Sequence, residues 1–202
     1  MPNHVTTLIQ IASFGGVPEE EIRKALLNDK NQVDFNLIVP MPECLMITDT
    51  SHPDPELKAA YKTNIREHGH KTWYGWRSEN WGTKWNAYDQ PDEGFPVGTT
   101  EFRFDTAWAS PYELITILSE KLPGVTFMVS YADEDIGRNC GKYEITAGEI
   151  TGLFTDKTPA ECSAFAFGLK YPDADRREHG YDENWEYSDD VYDQWEKENE
   201  EA

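Results

Sequence analysis

The chain has 202 residues, and 38 Asp and Glu against 18 Lys and Arg give it a formal net charge of −20 at pH 7. This charge repels phosphate backbones and anionic membrane surfaces, which argues against a conventional nucleic-acid-binding protein. Aromatic residues make up 13% of the chain, and this share predicts a folded domain rather than a disordered one.

The sequence has neither the run of about 20 apolar residues that a membrane span needs nor an N-terminal secretion signal, which predicts a cytoplasmic protein. Its three cysteines, Cys44, Cys140 and Cys162, form no CxxC pair, and we expect reduced thiols in the core. The histidines follow no spacing typical of metal ligands, and no phosphate-binding or dinucleotide-binding motif is present. We therefore expect no metal site, no cofactor and no catalysis.

The N-terminal part of the chain predicts a strand, a helix and a second strand. Apolar residues alternate with more polar ones in His4–Ala12 and again in Val33–Ile38, which is the pattern of half-buried strands. Between them, Pro18 and the three glutamates that follow it are typical of the first turn of a helix. We expect that helix to end near Asn28.

The middle of the chain predicts a second helix and then a Trp-rich insertion around residues 72–88. Asp54 followed by proline is typical of a helix start, and Gly69 is typical of its end. The insertion predicts a short helix, a tight turn at Gly82 and a strand that begins near Lys84. We expect its tryptophans to anchor the core, because each buries a large apolar area.

The next part of the chain repeats the strand–helix–strand order. Thr100–Trp108 alternates cleanly and predicts a strand, and Ser110-Pro111-Tyr112-Glu113 has the sequence of a capping box that opens a helix. Further strands are predicted at Val125–Tyr131 and Lys142–Ile150. A second capping-box sequence opens a helix predicted at Thr158–Leu169.

These units predict an α+β, ferredoxin-like split βαβ domain over residues 1–171, with an antiparallel-dominated sheet and helices on one face. Alternation places two sets of side chains on opposite faces of that sheet. Four apolar residues are expected beneath the helices, namely Phe102, Phe104, Phe127 and Val129.

Residues 172–202 differ in composition, since 13 acidic and three basic residues give this segment a net charge of −10. Four aromatic residues recur there at helical spacings and predict a stripe along one acidic helix. They are Tyr181, Trp185, Tyr192 and Trp195. Two interpretations are open: the stripe docks on the rest of the chain, or it contacts a partner.

Several motifs resemble those of a known family. They are Pro40-Met41-Pro42-Glu43, the run NWGTKWNAY at residues 80–88, and Thr106-Ala107-Trp108 followed by Ser110-Pro111. These motifs are similar to those of the YubB-like family of bacteriophage and plasmid proteins, and the resemblance covers roughly Met1 to Gly148. The resemblance implies a ferredoxin-like fold and a mobile-element origin, with no established activity.

The charge motivates the leading hypothesis about function. A dense acidic helix competes for a basic groove, because the attraction that steers DNA into such a groove also steers this chain. We expect a non-catalytic protein that binds a basic surface on a host nuclease, restriction enzyme or CRISPR effector, either by mimicking nucleic acid or by occupying an effector surface. The expected partner-binding residues are Trp185, Asp189, Asp190, Tyr192, Asp193, Trp195 and Glu196.

The alternative hypothesis is a small-ligand-binding domain or small enzyme that uses the polar face of the sheet. If the predicted strands are neighbours, hydrogen-bond donors and acceptors share one rigid surface there. The residues concerned are Lys84, Asn86, Arg103 and Asp105. The salt dependence of binding distinguishes the two hypotheses. The affinity of a nucleic-acid mimic for its partner falls steeply as ionic strength rises, whereas the affinity of a small-ligand site does not.

Overall fold

The computed structural model describes residues 3–153 and 157–200, so the predicted domain ends at Met1 and Ala202 lie outside the described residues. The strands are β1 (His4–Ser13), β2 (Glu101–Ala107), β3 (Thr126–Asp133), β4 (Cys140–Thr146) and β5 (Glu149–Thr151). They form one antiparallel sheet in the spatial order β2-β1-β3-β4-β5.

The helices of this part of the chain connect the strands and extend beyond them. They are α1 (Glu19–Leu26), α2 (Phe35–Ile38), α3 (Pro55–His68), α4 (Trp73–Asn80), α5 (Tyr112–Lys121), α6 (Pro159–Lys170) and α7 (Asp189–Glu200). Short 3₁₀ turns occupy Glu43–Leu45 and Arg176–His179. Among the residues described, no helix is both long enough and apolar enough to cross a bilayer.

Strand β1 lies between β2 and β3. It pairs antiparallel with both of them, so that Ile9 has Phe102 on one side and Val129 on the other. Strands β2 and β3 therefore run parallel to each other, and helix α5 makes the crossover between them. This is the predicted ferredoxin-like split βαβ arrangement in an α+β fold.

One face of the sheet forms the core. Phe102, Phe104, Phe127 and Val129 are buried there, each at 1% exposure or less, as their alternation predicts. Helices α1, α2 and α5 contribute further apolar residues to the same cluster. The two sides of the strand at Thr100–Trp108 are therefore assigned as the sequence predicts.

Helix α6 covers part of the second face, which the sequence predicts to be open. The Arg103 guanidinium on β2 donates hydrogen bonds to the carbonyls of Leu169 and Lys170, at the C-terminal end of α6. The Lys170 ammonium in turn donates to Thr6 Oγ1 on β1 at 3.1 Å. Cations stabilise the unpaired carbonyls of a helix end, so these contacts fix α6 on the sheet and place helices on both faces.

The prediction of a strand at Val33–Ile38 is wrong. Val33 makes a single bridge to Leu27, and the residues that follow form the short helix α2. The Asp34 carboxylate caps this helix by accepting a hydrogen bond from the Asn36 backbone N–H at 2.9 Å. A local bond from side chain to backbone thus overrides the alternating pattern.

The Trp-rich insertion follows its prediction in part. Helix α4 forms, and Gly82 turns the chain in the left-handed region at φ +70°. The strand predicted near Lys84 is reduced to one bridge, between Tyr88 and Asp105.

The two predicted capping boxes differ in outcome. Ser110 does not cap α5, because its Oγ accepts a hydrogen bond from Thr7 Oγ1 at 3.1 Å and Pro111 holds the cap position. At the start of α6, Thr158 and Glu161 form the full reciprocal pair.

The predicted strand over residues 142–150 is a hairpin, since two residues with positive φ at 147 and 148 make a tight turn between β4 and β5.

The C-terminal residues do not form one continuous helix. After the 3₁₀ turn at Arg176–His179, Tyr181 bridges Tyr187, and α7 begins only at Asp189. Trp185 lies in the intervening turn with a φ of +64°. The predicted stripe is therefore divided between a turn and a helix.

Candidate functional site

Helix α7 presents an exposed acidic face. Asp189, Asp193 and Glu196 are spaced by four and three residues, which places their side chains on the same side of a helix. All three are exposed, as is Asp190 next to them. The two aspartates of the first turn also lie where the helix dipole favours negative charge.

No Lys or Arg side chain pairs with those four carboxylates in the part of the chain that the structure describes. Arg177 is close to α7, but its guanidinium is held by Asp175 and Glu198 at 2.9 Å each. The negative charge of the acidic face is therefore not neutralised within these residues.

The carboxylates of this acidic face raise the pKa of two neighbouring tyrosines. The nearby Glu196 carboxylate is the main cause that raises the pKa of Tyr192 above its usual value. The hydrogen bond from the Tyr187 hydroxyl to Asp189, at 2.8 Å, is the main cause that raises the pKa of Tyr187. Both hydroxyls therefore stay protonated, and each donates its single hydrogen within this face, Tyr187 to Asp189 and Tyr192 to Glu196 at 3.4 Å.

The aromatic residues of α7 differ in exposure. Trp195 and Val191 are half-buried and line a groove beside the 3₁₀ turn, together with Arg176. Tyr192 is 39% exposed, with its ring centroid 6.4 Å from that of Trp195. Tyr192 thus lies beside the acidic face, whereas Trp195 fixes α7 to the preceding turn.

Trp185 packs on the body of the protein. Its ring centroid lies 5.4 Å from that of Phe167 on α6, and Tyr181 packs on the same ring at 6.1 Å. Of the seven predicted partner-binding residues, the structure groups five on or beside one exposed face of α7 and turns two toward the protein. The five are Asp189, Asp190, Tyr192, Asp193 and Glu196.

The residues of the alternative site have separate partners. Arg103 holds the end of α6, and the Asp105 carboxylate accepts a hydrogen bond from Thr6 Oγ1 at 2.7 Å on the same covered face. Asn86 accepts from the backbone N–H of Phe35 at 2.9 Å, at the start of α2. These groups secure elements of the fold, and the structure does not bring their free donors and acceptors together.

Lys84 is surrounded by aromatic rings. Its ammonium lies 5.1 Å from the ring centroid of Trp85, 5.2 Å from that of Trp108 and 5.8 Å from that of Tyr74. Cation–π attraction of this kind restrains the side chain.

The hydroxyl of Tyr88 forms hydrogen bonds at the edge of β2. The Tyr88 hydroxyl contacts His4 Nδ1 at 2.8 Å and donates to the Thr106 carbonyl at 3.1 Å. Burial, with a smaller effect from Asp105, raises the pKa of Tyr88 to about 12. Burial also lowers the pKa of Lys170, and the nearby Asp105 carboxylate opposes this change.

The tryptophans of the insertion are only partly a core anchor, since Trp73 and Trp85 are half-buried, and Trp108 after the insertion is exposed. Trp81 and Trp76 are buried, at 0% and 7% exposure, as predicted. Trp108 is 43% exposed and has a φ of +74°, which is uncommon outside glycine. Its backbone N–H donates to the Asn3 carbonyl at 2.9 Å, so the exposed ring stands on a restrained backbone.

A small cavity that no sequence pattern indicates lies at the start of α5. Tyr112 of α5, Tyr131 of β3 and Tyr143 of β4 line it. The register pairs Tyr131 with Gly141, and the Tyr131 ring lies over the glycine, where a Cβ would come within 2.9 Å of it. Alternation alone does not reveal such a space, because it depends on three elements meeting.

Comparison with known proteins identifies the family. The model of a family described as the ferredoxin-like domain in Api92-like protein matches residues 80–193. The chain belongs to this family. Comparisons with curated proteins and with solved structures found no match.

The matched range includes strands β2 to β5 and most of the acidic segment. It contains Trp185, Asp189, Asp190, Tyr192 and Asp193, and it ends before Trp195 and Glu196. The matched range extends across the domain boundary that we predict between residues 171 and 172. That boundary stays a prediction. Among the described residues, no group of three or more His, Cys, Asp or Glu is placed to hold a metal ion.

Proposed function

We propose that the protein is a non-catalytic binding protein whose acidic face on α7 binds a basic surface of a partner protein. The observation that carries this proposal is the row of Asp189, Asp193 and Glu196, exposed and without a cationic partner among the described side chains. Asp190 and Tyr192 extend the surface on either side.

The geometry of the row makes its charges act together. Seven residues of helix rise span about 10 Å, which is about the screening length at 0.1 M salt. A basic surface therefore meets the three carboxylates as one patch. Long-range attraction of this kind accelerates encounter and favours partners with a complementary potential.

The partner class we propose is a host protein that handles nucleic acid, such as a nuclease, restriction enzyme or CRISPR effector. Such proteins carry basic grooves for phosphates, and an acidic helix competes for the same groove. The resemblance to YubB-like proteins of phages and plasmids supports a target in the host and its cytoplasm. The function would then be inhibition of that target by occupying its nucleic-acid site.

The test compares the wild-type chain with the variant D189N/D193N/E196Q. A matched control, E56Q/D92N/E93Q, removes the same charge from exposed positions elsewhere. Each tagged protein is incubated with bacterial lysate at about 0.1 M salt, and captured proteins are eluted by a salt gradient and quantified by mass spectrometry. We expect a basic protein to be captured by the wild type and the control and lost with the variant.

A second step separates mimicry from other binding. The captured protein is purified and titrated with a DNA duplex in the presence of this chain. Mimicry predicts that the two exclude each other, whereas a ternary complex would contradict it and leave binding intact. Equal capture by all three proteins would contradict the role of α7 itself.

The alternative, a small-ligand site at Lys84, Asn86, Arg103 and Asp105, has less support. Arg103, Asp105 and Asn86 bond to other parts of the fold, and Lys84 lies among aromatic rings.

A further inference from the structure

The cavity at the start of α5 has the features of a small-molecule site. Its volume is about 190 Å³, somewhat more than a cavity of about 150 Å³ that holds one benzene molecule. The walls include Ser110, Tyr112, Tyr131, Asn139 and Tyr143. A single ring with one polar substituent fits this space.

Tyr143 places a buried, unpartnered hydroxyl at the wall of the cavity. The residue is 3% exposed, and its hydroxyl has no hydrogen-bond partner among the described residues. Buried polar groups nearly always have a partner. The Tyr112 ring packs against the Tyr143 ring with centroids 5.6 Å apart and is itself 47% exposed, so rotation of Tyr112 gives a ligand access to the hydroxyl.

The other polar groups of the cavity define what a ligand must offer. The Asn139 amide donates both to the Trp108 carbonyl at 3.2 Å and to Asp133 at 3.0 Å, so its oxygen is left to accept. Ser110 Oγ accepts from Thr7 and keeps its own hydrogen to donate. A ligand with one acceptor and one donor therefore matches these three groups.

The ligand must also be uncharged and flat. Among the described residues, no Lys, Arg, Asp or Glu lines the cavity, and burying an unpaired charge is costly. Aromatic side chains line the walls and favour stacked or edge contacts with a ring. We propose that this cavity binds a small, neutral aromatic molecule whose carbonyl or hydroxyl oxygen accepts a hydrogen bond from Tyr143.

The test uses benzamide, which has a ring, an acceptor and a donor, and toluene, which has only the ring. Binding to the full chain is measured by ligand-observed NMR at about 1 mM ligand, which both molecules reach in water and which suits the weak binding of so small a molecule. We expect Y143F to weaken benzamide binding by at least about fivefold, the size of one hydrogen bond. Toluene should bind the wild type and Y143F equally.

Two further variants control for the location. Ala109 also lines the cavity, so A109L should fill it and reduce binding of both ligands, while Y61F, a tyrosine change on α3, should alter neither. Equal benzamide affinity in all variants, or no binding to the wild type, would overturn the proposal. A marked drop in the melting temperature of Y143F would also overturn it, because the hydroxyl would then already have a partner within the protein.

Discussion

Trp81 and Trp108 belong to neighbouring parts of the fold and have opposite surroundings. The Trp81 indole N–H donates to the Val39 carbonyl at 2.9 Å, and its ring packs edge-on against Phe35 and Trp76. Trp108 is exposed and packs on Tyr74 at 6.2 Å. Residue type alone predicts the same burial for both.

The contrast yields a prediction for stability. W81A should lower the free energy of unfolding by about 3–5 kcal/mol, because it leaves a cavity in the core. W108A should cost less than about 1 kcal/mol, as is usual for exposed positions. Both values are measured by chemical denaturation.

W108G provides the control for backbone strain. Glycine adopts a positive φ without steric cost, so W108G should be at least as stable as W108A. A W108A loss as large as that of W81A would contradict the exposed position of Trp108 and would support the core role that its sequence suggests.

At the scale of elements, the sequence predicts best where one period dominates. β2 and β3 have clean alternation, and their buried faces follow it. Val33–Ile38 fails because Phe35 and Ile38 are also spaced as on a helix, and the Asp34 cap decides between the two. The C-terminal aromatics fail similarly, since Tyr181 and Trp185 have helical spacing but lie in a turn.

The candidate sites differ in how far sequence determines them. The acidic face of α7 was predictable, because a single helix with fixed spacing creates it. The tyrosine cavity was not, because it needs β3, β4 and α5 in contact. The covered second face was also not predictable, since α6 reaches it through backbone carbonyls that no side-chain pattern reveals.

A prediction at this scale concerns the contacts that hold the C-terminal segment on α6. Phe167 contacts Tyr171, His179, Tyr181 and Trp185. F167A should therefore release the residues after α6 and increase their cleavage by protease. F167L, which keeps most of the apolar volume, should show a much smaller change.

The measurement is limited proteolysis with mass spectrometry, together with circular dichroism of the sheet. Rapid cleavage confined to residues 172–200 is the expected result. Unchanged cleavage in F167A would show that α7 and its turn are held by contacts other than this ring.

For the whole molecule, the N-terminal strand is the critical piece. The family match begins at residue 80 and does not include β1. Yet β1 is the strand that joins β2 to β3, and its residues Val5 and Ile9 are buried at 0% and 1% exposure. The matched residues alone would leave the edges of β2 and β3 unpaired and would remove α1 and α2 from the core face.

A fragment of residues 80–193 should therefore be unfolded when expressed alone. A fragment of residues 1–171, which keeps β1 to β5 and α6, should fold and provides the control. Circular dichroism and amide NMR dispersion distinguish the outcomes. A well-dispersed spectrum from 80–193 would contradict the central role of β1.

The pairing of β1 has a consequence for the order of folding. Thr6 and Asp105, which bond side chain to side chain, are 99 positions apart in sequence. Contacts this distant raise the contact order and slow folding, since a long loop must close before they form. During synthesis on the ribosome, β1 emerges before β2 and β3. Both of its edges stay unpaired until those two strands have been synthesised. We expect this waiting interval to be when the protein most depends on chaperones.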